Sequence, residues 1–180
     1  MRGDIVGEVR LATVASAAAT MVSDATLELR AKHAGVRLRV RTAEPAQSLD
    51  WLLADDVDIA LIDEYDYQPV AMPDYVVATE LTTEPLVVLA PPGRLKRRGQ
   101  VHLYELADAD WVMPPDEAAC GHAVRAACRA AGFEPRVRWE TDDMLLLTLA
   151  VSAGHGVAVL PGRRWTCPPT ATCGRWRARS

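Results

Sequence analysis

The sequence predicts an α/β fold in which helices alternate with the strands of a parallel sheet. Three observations predict it. Val36, Leu38 and Val40 alternate with Arg37, Arg39 and Arg41, the period of two of a half-buried strand. Ala18, Met21, Val22, Ala25 and Leu29 recur at three- and four-residue steps and make one apolar helix face. Short apolar runs, residues 57–62 being the clearest, fall between such helical segments at the spacing that βαβ units need.

The elements follow in order. A strand is expected over residues 8–14, carried by Val9, Leu11 and Val14, and it turns at Ala15-Ser16 into the first helix. Ser16 suits an N-cap, its hydroxyl accepting from an unpaired N–H of the first turn, while Arg30, Lys32 and Gly35 suit the helix end. The arginine-faced strand, residues 36–42, fits a sheet edge. Glu44-Pro45 breaks it, Leu49, Leu52 and Leu53 mark a second helix, and residues 57–62 read as a buried strand closed by Asp63. A polar, aromatic loop then leads to two strands, 75–81 and 86–90, the latter ended by Pro91-Pro92-Gly93. After a basic loop come a helical turn at 103–106 and a strand at 110–113 halted by Pro114-Pro115. The next helix has Ala119, Ala123, Ala126 and Ala130 on one face and stops at Gly132. A strand at 137–140, a helix at 143–153 apolar nearly all round and therefore expected to be buried, and a strand at 157–160 complete the pattern.

Composition narrows the function. With 49% hydrophobic and 24% charged residues the balance is that of a globular protein, and no apolar run reaches the length of a membrane span. The first residues lack the pattern of a secretory signal, so the expected location is the cytoplasm and the four cysteines are expected to be reduced. A net charge of -4 argues against a sequence-independent grip on nucleic acid. Residues 163–180 differ from the rest: they hold five arginines and no acid, in a setting rich in Trp, Cys and Pro with no apolar period. Catalysis and metal binding find little support, because the four histidines lack zinc-type spacings and Cys120 and His122, two apart, point to different helix faces. No nucleophile has an identifiable base, and no enzyme activity, metal or cofactor is expected.

Several segments together carry a family likeness. Gly7-Glu8-Val9-Arg10-Leu11 with the Ser16 turn, Asp56-Val57-Asp58-Ile59-Ala60-Leu61, Glu84-Pro85-Leu86-Val87-Val88-Leu89, Ala130-Ala131-Gly132-Phe133-Glu134-Pro135 and the stretch from Ser152 through Gly154-His155-Gly156 to Pro161 stand in the order and spacing of one domain type. In this the chain resembles the effector-binding domain of LysR-type transcriptional regulators. The resemblance implies a two-lobed fold like type II periplasmic binding proteins, a small-molecule effector in the interlobe cleft, and homodimers. It places the first lobe at residues 1–84, the second at 85–161 and an atypical basic tail at 162–180, with the family's C-terminal return elements missing. A truncated, frameshifted gene product is one reading of that tail and a divergent basic tail the other. DNA binding is implied only for a full-length parent carrying a helix-turn-helix. Solute-binding proteins of the same fold, and a non-functional remnant, are the alternatives.

In an open α/β sheet, ligands sit beyond the carboxyl ends of the strands, where helix N-termini present free N–H groups. By resemblance, Ser16 and the Met113, Pro114 and Pro115 segment match positions that touch the effector, although Ser16 also serves as a cap. Thr141 with Asp142 either lines the second lobe or caps the helix that follows. Glu44, if it faces the ligand, favours a cationic or neutral effector; otherwise it is a solvated acid before proline.

Overall fold

The structure, a computed structural model, describes residues 5–66, 68–95 and 100–162, and the backbone of 172–176. The chain forms two compact units, Met1–Glu64 and Tyr65–Ser180. Residues 75–81, expected as a strand, form none: Val76 N–H closes a turn on the Pro73 carbonyl, and Val77 is 93% exposed.

In the first unit, β1 (Gly7–Thr13) leads through α1 (Ala15–Ala17), a π-helical turn (Ala18–Val22) and α2 (Ser23–Lys32) to β2 (Val36–Thr42), then α3 (Pro45–Leu53) and β3 (Ile59–Leu61). The sheet order is β2-β1-β3, all parallel, as two successive βαβ crossovers require. β1 is central, and Leu11, Ala12, Thr13 and Val14 are buried there. β2 lies at the edge, as its arginines suggested. Arg41 lays its guanidinium 3.6 Å over the Trp51 ring, so one of the three has an aromatic partner as well as a solvent-facing role.

β3 is shorter than the expected 57–62 run because Asp58 is engaged otherwise. Its carboxylate accepts from the Arg10 backbone N–H at 2.7 Å and from Arg10 Nη2 at 2.7 Å, while Asp58 N–H donates to the Arg10 carbonyl. The hydrogen bonds from the Arg10 side chain and backbone hold the Asp58 carboxyl at about 2, below its ordinary 3.8. Asp55, at φ 57, supplies the left-handed residue that lets the chain leave α3.

The second unit holds β4 (Leu86–Ala90), β5 (Gln100–Val101), a 3₁₀ turn (Leu103–Leu106), β6 (Asp110–Met113), α4 (Ala119–Ala130), β7 (Arg136–Glu140), α5 (Met144–Ser152), β8 (Ala158–Pro161) and β9 (Thr172–Trp176). The strands run β5-β9-β4-β8, with β4 antiparallel to both neighbours, and β6 pairs in parallel with β7. A parallel bridge between Trp111 and Val157 joins β6 to the segment entering β8. The expected all-parallel sheet is therefore correct for the first unit and corrected to a mixed one here.

Alternation along these strands sorts side chains into two cores. Val88, Ala90, Trp111, Met113 and Val159 pack with Val124, Ala127 and Cys128 of α4, whereas Leu89, Val112, Ala158 and Leu160 pack with Leu147, Ala150 and Val151 of α5. One sheet thus lies between two helical layers. Two helix expectations change. The buried face of α4 runs through Val124, Ala127 and Cys128, leaving Ala130 exposed. α5 is not buried all round, since only one side meets the sheet and Leu145 and Leu149 face solvent.

Residues 163–180, read as having no apolar period, nevertheless include a strand at Thr172–Trp176. That backbone pairs antiparallel with β4 and parallel with β5, because ladder bonds need exposed N–H and C=O groups and not an apolar period. The rest of the segment after Gly162, with the truncation and frameshift readings, lies outside the described residues. Among the described residues no helix is long and apolar enough to cross a membrane.

Candidate functional site

Each unit gathers its candidate residues at the carboxyl ends of parallel strands. In the second unit, β6 and β7 end level, with Met113 opposite Glu140, and Thr141 N–H donates to the Met113 carbonyl at 3.0 Å. The chain then passes through Pro114 and Pro115. Neither has an N–H, so this ledge can be held only through its carbonyls and by packing. Both carbonyls are used: Ala118 N–H donates to Pro115 at 3.2 Å, and Arg125 Nη1 donates to Pro114 at 2.7 Å.

Arg125 is buried on α4, and its Nη2 donates to Glu140 Oε2 at 2.8 Å. One turn earlier, Gly121 lets the helix backbone come against the ledge. A Cβ at Gly121 would overlap the Pro115 carbonyl oxygen outright and lie 2.7 Å from that of Pro114. Neither Arg125, Gly121 nor Glu140 stands out in the sequence. An arginine among alanines reads as a solvated helix residue, and the one available signal is its place four residues after a glycine in the first turn of the helix.

The sequence-predicted residues separate here. Met113 is 1% exposed and its side chain belongs to the core, so only its backbone serves the ledge. Pro114 is buried and Pro115 half-buried. The cap of α5 is neither Thr141 nor Asp142 but Asp143, whose Oδ1 accepts from Leu145 and Leu146 N–H at 2.8 and 3.0 Å. Thr141 Oγ1 accepts from Asp143 N–H, leaving Asp142 as an exposed acid at the strand ends.

In the first unit, Ala43 N–H donates to the Thr13 carbonyl at 3.0 Å, which ties together the ends of β1 and β2. Ser16 is not the N-cap: Val14 holds that position in extended conformation, and Ser16 sits half-buried inside the first turn, its carbonyl accepting from Thr20 Oγ1. Glu44 occupies the N-cap position of α3 and is exposed, its carbonyl accepting from Ser48 N–H.

Among the described residues no group of three or more His, Cys, Asp or Glu is placed to hold a metal. Cys128 is fully buried, and desolvation pushes its thiol up to about 12.

Comparison with known proteins decides the family. The LysR substrate binding domain matches residues 2–178. The chain belongs to that family. Among curated relatives, this LysR-type domain is 32% identical over 107 residues to the transcriptional dual regulator GltC of Bacillus subtilis (strain 168), covering 59% of the chain and 34% of GltC. It is 29% identical to the small neutral protease regulatory protein of Streptomyces coelicolor, covering 90% of the chain and 58% of that protein. The domain thus spans well under two thirds of these relatives. Its fold is that of HinK, a LysR family transcriptional regulator from Pseudomonas aeruginosa (TM-score 0.79, 17% identity, 98% of this chain and 60% of HinK). It is equally that of the effector binding domain of QuiR, solved in complex with shikimate (TM-score 0.79, 14% identity, 98% and 83% covered).

Proposed function

We propose that this domain senses a small-molecule effector at the carboxyl ends of its parallel strands and, within a longer LysR-type regulator in the cytoplasm, passes that occupancy to transcription. The observation that carries the reading is the proline ledge of the second unit, level with Thr141 and held from behind by α4. Pro115, Thr141, Asp142 and the backbone of Met113 and Pro114 are the candidate contacts there, and Ser16 and Glu44 those of the first unit. The likeness to QuiR with shikimate, and to BenM with its effector benzoate (TM-score 0.78, 18% identity, 96% of this chain), supports a small ligand. At the strand ends of the second unit, the exposed acid Asp142 favours cationic or neutral groups. DNA recognition belongs to the longer regulator, and the domain acts by binding and not by catalysis.

The test is a thermal-shift screen with shikimate and benzoate as first probes, followed by small amines and neutral compounds. A ligand at about 100 times its Kd stabilises the folded state by roughly 2.7 kcal/mol. Absence of any stabilising compound across all three classes would count against the reading.

We further propose homodimerisation through the first helix and the β2 edge. Support comes from the exposed apolar residues Leu27 on α2 and Val40 on β2, and from the unpaired side of that strand among the described residues. Light scattering at high protein concentration should give twice the chain mass. A strict monomer would mean that Arg37, Arg39 and Arg41 protect the edge instead.

A further inference from the structure

We propose that Arg125 is a positioning residue for effector recognition: a buried guanidinium that locks the two strand ends of the second unit into one rigid ledge without itself touching the ligand. The inference rests on the effector reading above but stands on its own geometry.

The Pro114-Pro115 segment cannot donate a backbone hydrogen bond, so it lacks half of the usual means by which a loop is anchored. Arg125 replaces that anchor. One arm of its fork takes the Pro114 carbonyl beyond β6, and the other takes the Glu140 carboxylate at the end of β7. The guanidinium is planar and rigid, so fixing one arm constrains the other, and the two chain segments are held at one separation. Gly121 and Arg125, four apart on the same helix, set the two contacts of α4 with the ledge: the glycine permits the approach and the arginine fixes it. A buried arginine is costly unless its charge is paired, and here the pairing partner is a strand-end acid whose other side is open to solvent. A core needing only packing at this position would be served by an apolar side chain. The charged fork is explained by the need to hold a proline carbonyl in place.

The test uses amide hydrogen exchange on the intact ligand-free chain, comparing wild type with Arg125→Met and Arg125→Lys. Ala118 and Thr141 report the ledge, since their N–H groups are bonded to the Pro115 and Met113 carbonyls, and Val112, bonded to Val157, reports the core beneath. Arg125→Met should speed exchange at Ala118 and Thr141 by about tenfold or more, the scale of one charge-assisted hydrogen bond, while Val112 stays as in wild type. Arg125→Lys, which keeps the charge but can reach one acceptor at a time, should fall in between. If Arg125→Met does not fold, the lysine variant carries the test, with faster ledge exchange over an unchanged Val112 expected. Unchanged rates at Ala118 and Thr141, or equal acceleration at Val112, would overturn the proposal, the second outcome marking Arg125 as a core residue only. Because no effector is present, this result is separate from success or failure of the ligand screen.

Discussion

Replacing Gly121 by alanine sets two opposite effects against each other. On helix propensity alone, alanine in the first turn of α4 should stabilise the fold by at most about 0.8–1 kcal/mol, the helix-interior value. The local packing argues the other way. A Cβ would overlap the Pro115 carbonyl oxygen and stand 2.7 Å from the Pro114 oxygen and 2.9 Å from the Pro115 carbonyl carbon, where ordinary contact begins at 3.4 Å. All three atoms are backbone, so no rotamer change relieves the overlap, and the ledge or the helix must move. Overpacking of this kind costs about 1–3 kcal/mol, and a rigid backbone neighbour puts it in the upper part of that range. The expected net result is a loss of roughly 1–2 kcal/mol, read as a lower urea midpoint with unchanged slope. The Ala118 bond to Pro115 should weaken with it. A variant as stable as wild type, or more so, would refute the claim that α4 is pressed against the ledge.

Other consequences can be measured directly. Asp143→Ala removes the acceptor for Leu145 and Leu146 N–H and should cost about 0.5–2 kcal/mol, whereas Asp142→Ala should leave stability within about 0.5 kcal/mol; reversed results would move the cap back to Asp142. The Arg10–Asp58 pair makes stability depend on acid: the Asp58 carboxyl is lowered in the folded state, so its contribution is complete above its ordinary 3.8 and is lost as pH falls toward about 2. The stability difference between wild type and Asp58→Asn should therefore shrink across that interval, and a constant difference would contradict the pairing. Cys128, buried with its thiol raised to about 12, should resist a thiol reagent at neutral pH in the folded chain and react on unfolding; rapid labelling of the folded state would show that α4 is not seated on the sheet.

The sequence made the elements legible wherever periodicity was enforced by burial. β2, α3 and α4 carry an apolar face, β4 and β6 are short apolar runs buried on both faces, and the order of the elements implied the parallel β2-β1-β3 sheet. It misled where local chemistry competed. Residues 75–81 have strand composition but no strand partner among the described residues, and α5 is apolar on sides that meet nothing in its own unit. Thr172–Trp176 pairs through backbone groups, which leave no mark in a side-chain pattern. At the site, the Met113-Pro115 segment could be found from its place after a strand, but not that Met113 points into the core. The cap of α5 fell one residue beyond the two considered, because Thr141, Asp142 and Asp143 all carry capping oxygens and only geometry separates them. Arg125 was illegible for a deeper reason: a charged residue reads as solvated unless its buried partners, here a proline carbonyl and a strand-end glutamate, are known.

The central claim, that a small molecule is recognised at the proline ledge, is tested most directly by calorimetric titration of the best compound from the screen into wild type and Gly121→Ala. One molecule should bind per chain, with an affinity at least about tenfold weaker in the variant, equivalent to roughly 1.4 kcal/mol, at a temperature where both are folded. Binding of equal strength to both proteins would place the ligand away from the proline ledge.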